Sequence, residues 1–550
     1  MLPFFVGILL LVAGSASPVA QLRLALSSSE LICAAGKDYV KVRKVSGERA
    51  AEESYQIYDQ ANRLATSPAF SDNTDRVDEY CINASENHVY VVHLRDSFGN
   101  SWSAGSFIEI ISSSDVVVLK TYMTALQDEQ HTITLYEPIN ENSSWKYRSG
   151  SVDADWKIIN YSDSDWNVYI YSEASISKAG TQYYRKTFYG STDYVAYELR
   201  LKYRYGIVVY LNMVEIYRDN MDDGPVSSTD ASSGYYLDTQ YHSIIVPKSL
   251  ITTHLNALCV ELHFPSYSTT NPLSFAAVLF LHYPSEDNGN CYVIPYQPVV
   301  TSPQSDDADR IVNWNRQDAW TLDPMFESAQ VDFNYTAIRV RPFINALRLF
   351  SGTDSGFFPH SFTLAADTTV LRAKNLAFSP NQQFTISNPF VAASFFSYRM
   401  TIAATQGGKL MLPDLQLAVC VLSPPEEMEL NTDAVAVHTG VERVLVYPKS
   451  AVFSECSIQP SLPSGLSLDG ASCEVSGVAT QTLSATRFTL SSSNGAGYSA
   501  SFSLEVSSCT DHIISLRYFS AESSSADFAF TLENAQHQTL FQSTDGPVAE

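Results

Sequence analysis

Tyr197-Glu-Leu-Arg-Leu-Lys-Tyr-Arg-Tyr-Gly-Ile-Val-Val-Tyr-Leu-Asn-Met-Val-Glu-Ile-Tyr-Arg218 is the stretch whose reading decides the fold. Residues 197–205 alternate apolar and polar side chains, the period of a half-buried strand. Gly206-Ile-Val-Val-Tyr-Leu is a short apolar run, and Val-Glu-Ile-Tyr-Arg resumes two residues later. Two β runs separated by two residues make a hairpin. A type I′ turn prefers Gly where Met213 stands, so a strained turn or one of another type is expected. Asn256-Ala-Leu-Cys-Val-Glu-Leu-His263 supplies a further core strand.

The whole chain shares this character. Tyr and Phe are abundant, at 32 and 28 residues, alongside many Ser, Thr and Val, a mixture suited to pleated sheet surfaces. A length of 550 residues suggests about three to five domains. Asp plus Glu total 59 against 34 Lys plus Arg, a formal charge of −25 that repels phosphate backbones and argues against nucleic-acid partners. Residues 1–16 form an apolar run ending in small residues, as a cleaved secretory signal does, and are too short to span a bilayer.

Eight Cys behind such a signal imply disulfides. Position suggests pairs within domains: Cys33 with Cys81, Cys291 with Cys420, Cys456 with Cys473. Cys259 lies in an apolar strand as a buried thiol, and Cys509 awaits a partner; sequence alone leaves the connectivity open. Acceptor sequons at Asn83, Asn142, Asn160 and Asn334 fit a secreted glycoprotein.

Residues 22–140 carry Tyr90-Val-Val-His-Leu-Arg-Asp-Ser-Phe-Gly-Asn-Ser-Trp-Ser-Ala-Gly-Ser-Phe-Ile-Glu-Ile110, in which strand, polar Gly-containing turn and strand follow one another. At Asp96, Ser97, Gly99, Asn100 and Trp102 this stretch resembles the "DSYGDGW" loops of small repeated β domains. Asp96, Asn100 and Trp102 are candidates for a cation or glycan contact. The competing and favoured reading is an Asp that caps its own turn, with Trp102 folded over the hairpin.

Residues 141–288, with Trp166, Tyr184-Tyr-Arg-Lys-Thr-Phe and Arg218-Asp-Asn-Met added to the blocks above, resemble the galactose-binding-domain-like jelly roll. The resemblance implies a glycan-binding or accessory module. Pro284 to Asp309 reads as a linker. Residues 289–422, carrying Phe333-Asn-Tyr-Thr-Ala-Ile-Arg-Val, Phe384-Thr-Ile-Ser-Asn and Leu412-Pro-Asp-Leu-Gln-Leu, resemble discoidin (coagulation factor type C) domains. Cys291 and Cys420 occupy the places where that family joins its two ends. Residues 423–508, with Pro460-Ser-Leu-Pro-Ser-Gly-Leu-Ser-Leu-Asp and Cys473-Glu-Val-Ser-Gly, are similar to immunoglobulin-like (cadherin-like) modules. Some relatives of these modules bind structural calcium. No clustered Asp/Asn/Glu run is visible here, and no other cofactor is expected.

Tyr39 through Asp59 aligns without a gap on Ile513 through Glu533, with Arg43, Ser46 and Glu48 matching Arg517, Ser520 and Glu522. Residues 509–550 thus read as a truncated second copy of the first domain, within a longer repeated protein. The expected architecture is all-β: tandem sandwiches and jelly rolls with an immunoglobulin-like sandwich, threaded as separate beads.

Catalytic motifs are scarce. No Gly-x-Ser-x-Gly, His-Glu-x-x-His or Cys-x-x-Cys occurs, and Gly352-Thr-Asp-Ser-Gly has the wrong spacing for a nucleophile elbow. Glu261 and His263 stand two apart on one strand face, but a metal site needs a third ligand that cannot be named. Tyr235, Tyr236 and Tyr241 follow the polar Asn220-Met-Asp-Asp and offer ring faces for a sugar, although packing at a sheet edge is the favoured reading. The expected function is non-catalytic: a secreted or cell-surface protein binding glycans or surface proteins, with its membrane anchoring left open. The alternatives are an accessory region of a hydrolase encoded beyond residue 550, or a structural surface protein.

Overall fold

The computed structural model describes residues 31–508, with short interruptions of which 172–180 and 267–274 are the longest, and two paired strands, Thr531–Glu533 and Thr539–Gln542. The expected secretory signal at 1–16 and Cys509 lie outside the described residues, as does the expected repeat at 509–550 apart from those two strands. Among the described residues every regular element is a strand or a short 3-10 turn, so the chain is all-β.

Period-two burial builds the first sandwich. Lys37–Val45 alternates buried and half-buried positions, as do Glu53–Asp59 and Val89–Asp96. One sheet runs Asp75–Asn83, Lys37–Val45, Phe107–Ile111, Val117–Thr121; the other runs Asn62–Thr66, Glu53–Asp59, Val89–Asp96, Asp128–Thr134. Val40, Val42, Tyr55, Ile57, Tyr90 and Val92 fill the space between them. Lys44 occupies the same inward register as Val40 and Val42. Its ammonium meets Glu53 at 2.6 Å, and both side chains are almost completely removed from solvent.

In the second sandwich a six-stranded sheet centred on Gln182–Tyr189, Leu255–His263 and Gly206–Leu211 packs on a four-stranded one. From Ala196–Lys202 onward the chain passes back and forth between the two sheets, with the Gly206–Leu211/Val214–Asp219 hairpin kept within the larger one, and strands covered on both faces read as continuous apolar runs. The hairpin turn is a finding in its own right. Asn212 and Met213 both have positive φ, 50° and 75°, so a type I′ conformation forms with Met in the place preferred by Gly. Asn212 anchors it: its Oδ1 accepts from Ala257 N at 2.9 Å, and its Nδ2 donates to Asn256 Oδ1 at 2.8 Å. Cys259 is a buried free thiol, pushed up to about 12 by burial.

The third sandwich pairs the sheet Cys291–Val293, Leu415–Cys420, Ala346–Phe350, Gln383–Ser387 with a five-stranded sheet built on Ser328–Asn334 and Ser397–Ala403. Cys291 and Cys420 are direct cross-strand partners and are disulfide-bonded. The stretch that reads as a linker instead carries the strands Cys291–Val293 and Val299–Thr301, which belong to these two sheets.

Residues up to Pro424 form one compact unit, which corrects the expectation of separate beads for this part of the chain. Val278 and Phe280 of Ala276–His282, a second-sandwich strand, pack into the first core. Tyr241–Pro247 pairs in parallel with Val340–Arg341, so a strand from the third segment extends the second segment's sheet. Val195, Ala196 and Ile245 join the third core. The physical reason is that several inner strands are apolar on both faces, and each needs a neighbour on the outer one.

The second unit begins at Pro425. Ala434–His438, Ser499–Ser507, Leu483–Ser492 and Cys456–Gln459 form one sheet; Val444–Val446, Glu474–Gly477 and Leu466–Asp469 form the other. Phe488 and Phe502 stack in its core at 5.6 Å. The remaining disulfides are Cys33–Cys81 in the first sandwich and Cys456–Cys473 here.

Candidate functional site

The Asp96 loop is built inward. The Asp96 carboxylate accepts from the backbone N–H of Phe98 and of Asn100, closing an Asx turn. Trp102 Nε1 donates to Arg95 O at 3.0 Å, and the ring lies 4.2 Å from the Lys44 ammonium. Glu53, the partner of that ammonium, accepts from Ser103 N at 2.9 Å and from Ser106 Oγ at 2.8 Å. Asp96 and Trp102 are both buried, and the Asn100 amide lies between Asp96 and Arg49. These three residues therefore hold the loop over a buried ion pair; its flanking strands, Val89–Asp96 and Phe107–Ile111, lie in opposite sheets, so the expected hairpin is instead a crossover between the two sheets.

The tyrosines are spread out. Tyr235 is exposed. Tyr241 donates to Glu141 Oε1 at 2.8 Å beneath the Arg200 guanidinium, which lies 4.7 Å from its ring. Tyr236 is part of a polar knot: it donates to Asp219 Oδ2 at 2.8 Å, packs 4.6 Å from His242, and carries the Arg339 guanidinium 4.8 Å over its face. Tyr203 also donates to Asp219 Oδ2, and it shares a 2.8 Å hydroxyl contact with Tyr217. Burial first, and then the neighbouring phenols and the Asp219 carboxylate, hold the Tyr203 phenol well above its ordinary value, so it stays a donor. Burial likewise raises Tyr217 and Tyr236.

Beside this knot lies a cleft of about 630 Å³. Val214–Asp219 and Ile244–Pro247 form two of its walls, and Arg341, Phe343 and Ser394 of the third segment form another. Arg341 is fixed by a 3.0 Å bond from its Nε to Ser394 O, with its guanidinium 5.8 Å from the Tyr217 ring. Arg218 is clamped by both Glu215 oxygens at 2.8 Å. The lining thus offers a carboxylate already oriented by two phenols and a guanidinium seated over a buried aromatic ring, a donor and acceptor pair suited to hydroxyls. Asp219 could have been suspected from the polar Asn220-Met-Asp-Asp stretch. Arg341 could not, because it arrives from more than a hundred residues away.

Glu261 and His263 share a face, 3.8 Å apart, and each has a protein partner: Tyr210 Oη donates to Glu261 at 2.6 Å, and His263 Nδ1 lies 2.9 Å from Asp230 O. No group of three or more ligating side chains with metal-site geometry occurs among the described residues.

The family model described as "Putative Ig domain" matches residues 436–507. This segment is an immunoglobulin-like domain. No curated protein matches the chain. Among solved structures, a CBM32 module of Clostridium perfringens in complex with GalNAc-β-1,3-galactose is 14% identical, over 23% of this chain and 94% of its own, with a TM-score of 0.18. The paired CBM32-1 and CBM32-2 domains of ZmpB from the same organism, in complex with GalNAc, are 9% identical over 50% and 90%, with a TM-score of 0.19. Allantoicase from Saccharomyces cerevisiae is 10% identical over 44% and 80%, with a TM-score of 0.17. Likeness of this size supports neither a shared site nor a shared ligand.

Proposed function

We propose that this chain is a non-catalytic, secreted or cell-surface glycoprotein that recognises carbohydrate in the cleft between Val214–Asp219 and Arg341. The observation that carries this reading is the convergence of Tyr217, Asp219 and Arg341 on one open cleft of about 630 Å³, a size suited to one or two sugar rings. Asp219 and Arg341 accept from and donate to hydroxyls above the buried Tyr217 ring. Three disulfides suit folding in an oxidising, extracellular compartment. Asn83, Asn142, Asn160 and Asn334 are all exposed, as acceptors of N-linked glycans must be.

A glycan array probed with the purified chain tests the reading, alongside Arg341→Ala and Asp219→Asn. Selective signal lost in both variants supports it. An array that stays blank at high protein concentration, or signal that neither substitution affects, removes it.

A further inference from the structure

The Lys44–Glu53 pair joins the two sheets of the first sandwich, Lys44 from Lys37–Val45 and Glu53 from Glu53–Asp59. Both side chains are removed from solvent, and the Lys44 ammonium lies 4.2 Å from the Trp102 ring and 5.5 Å from the Phe70 ring. The carboxylate is held asymmetrically. Its Oε1 accepts from Ser103 N at 2.9 Å and from Ser106 Oγ at 2.8 Å, whereas its Oε2 is the oxygen turned to Lys44 Nζ at 2.6 Å. Nζ also donates to Val45 O at 2.7 Å. Burial, opposed by Glu53, lowers the Lys44 ammonium from its ordinary value, towards the neutral amine.

This arrangement has the parts of an amide-forming site. An amine and a carboxyl in contact act at effective concentrations of about 10⁵–10⁸ M when well oriented. Two donors on Oε1 make an oxyanion hole, aimed at the oxygen that turns negative when the carboxyl carbon is attacked. In apolar surroundings, moving one proton from Nζ to Oε2 removes both buried charges and the desolvation cost they carry. Lys120, also buried in this sandwich, is arranged differently. It contacts Glu109 Oε1 at 3.0 Å, but the Arg43 guanidinium grips Glu109 Oε2 at 3.0 Å as well. Burial raises the Glu109 carboxyl, yet Lys120 and Arg43 outweigh it and hold the group below its ordinary value, as an anion that resists attack.

We propose that Lys44 and Glu53 condense after folding into an intramolecular amide that ties the two sheets together covalently. The step balances within the pair. After one proton passes from Nζ to Oε2, the Nζ lone pair attacks Cδ, and negative charge gathers on Oε1 between Ser103 N–H and Ser106 Oγ–H. The N–C bond forms and the Cδ–Oε2 bond breaks. Oε2 leaves as water, with its own proton and a second one from Nζ. One ammonium and one carboxylate become one neutral amide and one water, and no oxidant, reductant or cofactor is needed. The product keeps its hydrogen bonds: the amide N–H has Val45 O, and the amide oxygen has Ser103 and Ser106. Unlike the three disulfides, this tie does not open on reduction. It does not rest on the carbohydrate reading, and either can fail while the other stands.

Peptide mass tests it. Cleavage before Asp residues of the folded, purified chain, once denatured and reduced, releases the peptide 38–58, which holds Lys44 and Glu53 and neither Cys nor a glycosylation sequon. That peptide should be lighter than its linear sequence by one water, about 18 Da. Its fragment ions should show no separation between residues 44 and 53. Trypsin should leave the bond after Lys44 uncut in it, a check that needs no variant. Lys44→Arg keeps the positive charge in a guanidinium that does not condense, and should restore the full linear mass. A full-mass peptide 38–58 from folded wild-type protein, ready tryptic cleavage after Lys44, or a light peptide that persists in Lys44→Arg would each overturn the proposal.

Discussion

Replacing Asp414 by Asn should stabilise this protein at neutral and alkaline pH and leave it unchanged in acid. Asp414 is completely buried at the junction of the first and third sandwiches, facing Arg316, Lys120, Tyr122 and Gln416. Gln416 Nε2 donates to its Oδ2 at 3.2 Å and also reaches the Tyr122 hydroxyl, while its Oδ1 has no hydrogen-bond partner. Burial outweighs the neighbouring cations and lifts the carboxyl from 3.8 to about 7. A folded-state pKa above the unfolded one contributes stability that is fully present below pH 4 and lost as pH rises towards 7. Roughly three pH units at 1.36 kcal/mol each make that loss about 4 kcal/mol. Asn presents the shape of the protonated acid, an oxygen to Gln416 and an amide at the orphan position, at every pH. Urea denaturation of wild type and Asp414→Asn at pH 4, 6 and 8 should therefore show curves that coincide at pH 4 and separate by about 2–4 kcal/mol at pH 8. Parallel pH dependence in the two proteins, or an Asn variant weaker than wild type at pH 8, would refute the reasoning.

Lys44→Met leaves Glu53 charged and buried without its 2.6 Å partner, and should cost about 3–5 kcal/mol in the same denaturation assay, whereas a Lys44→Met/Glu53→Leu pair should recover the part owed to the stranded charge. Met213→Gly removes a left-handed non-glycine residue from an exposed turn and should raise stability by about 0.5–1 kcal/mol, read as a higher urea midpoint. Cys291→Ala/Cys420→Ala opens a bridge spanning 129 residues and should lose about 2–5 kcal/mol without changing far-ultraviolet circular dichroism at low temperature. Native Cys259, with its thiol raised to about 12, should resist iodoacetamide at pH 8 and react only in denaturant.

Much of the fold is legible because its cause is local. The 3.3 Å rise and two-residue period of a strand are visible in 197–205, and the two-residue spacing at Asn212-Met213 announces a hairpin before any contact is known. The Asp96 loop is legible for the same reason, since an Asp that caps its own turn needs only the next four residues. Lys44 marks where such reading stops. Pattern alone assigns a charged residue to the solvent face, yet Lys44 points inward with Val40 and Val42. It is kept there by Glu53 on the facing sheet and Trp102 on a distant loop. Arg341 and Arg316 are of the same kind: each meets a tyrosine, Tyr217 and Tyr122 respectively, across more than a hundred residues, which no local period encodes.

The joints between sandwiches explain why the cleft lies at one of them. Glu198, fully buried, holds His282 at 3.3 Å and accepts from Tyr296 at 2.5 Å, while Tyr292 stacks on His282 at 4.0 Å and donates to Val117 O. Arg200, two residues along the same strand, donates to Ser114 O. One knot thus takes side chains or carbonyls from all three sandwiches. Burial alone would raise the Glu198 carboxyl, yet His282, Arg200 and Tyr296 bring it below its ordinary value, so the charge is retained inside the joint. The three sandwiches are accordingly fixed as one body, and a cleft walled by two of them keeps its shape without a ligand. Arg341 faces Tyr217, and Arg316 faces Tyr122, across these joints.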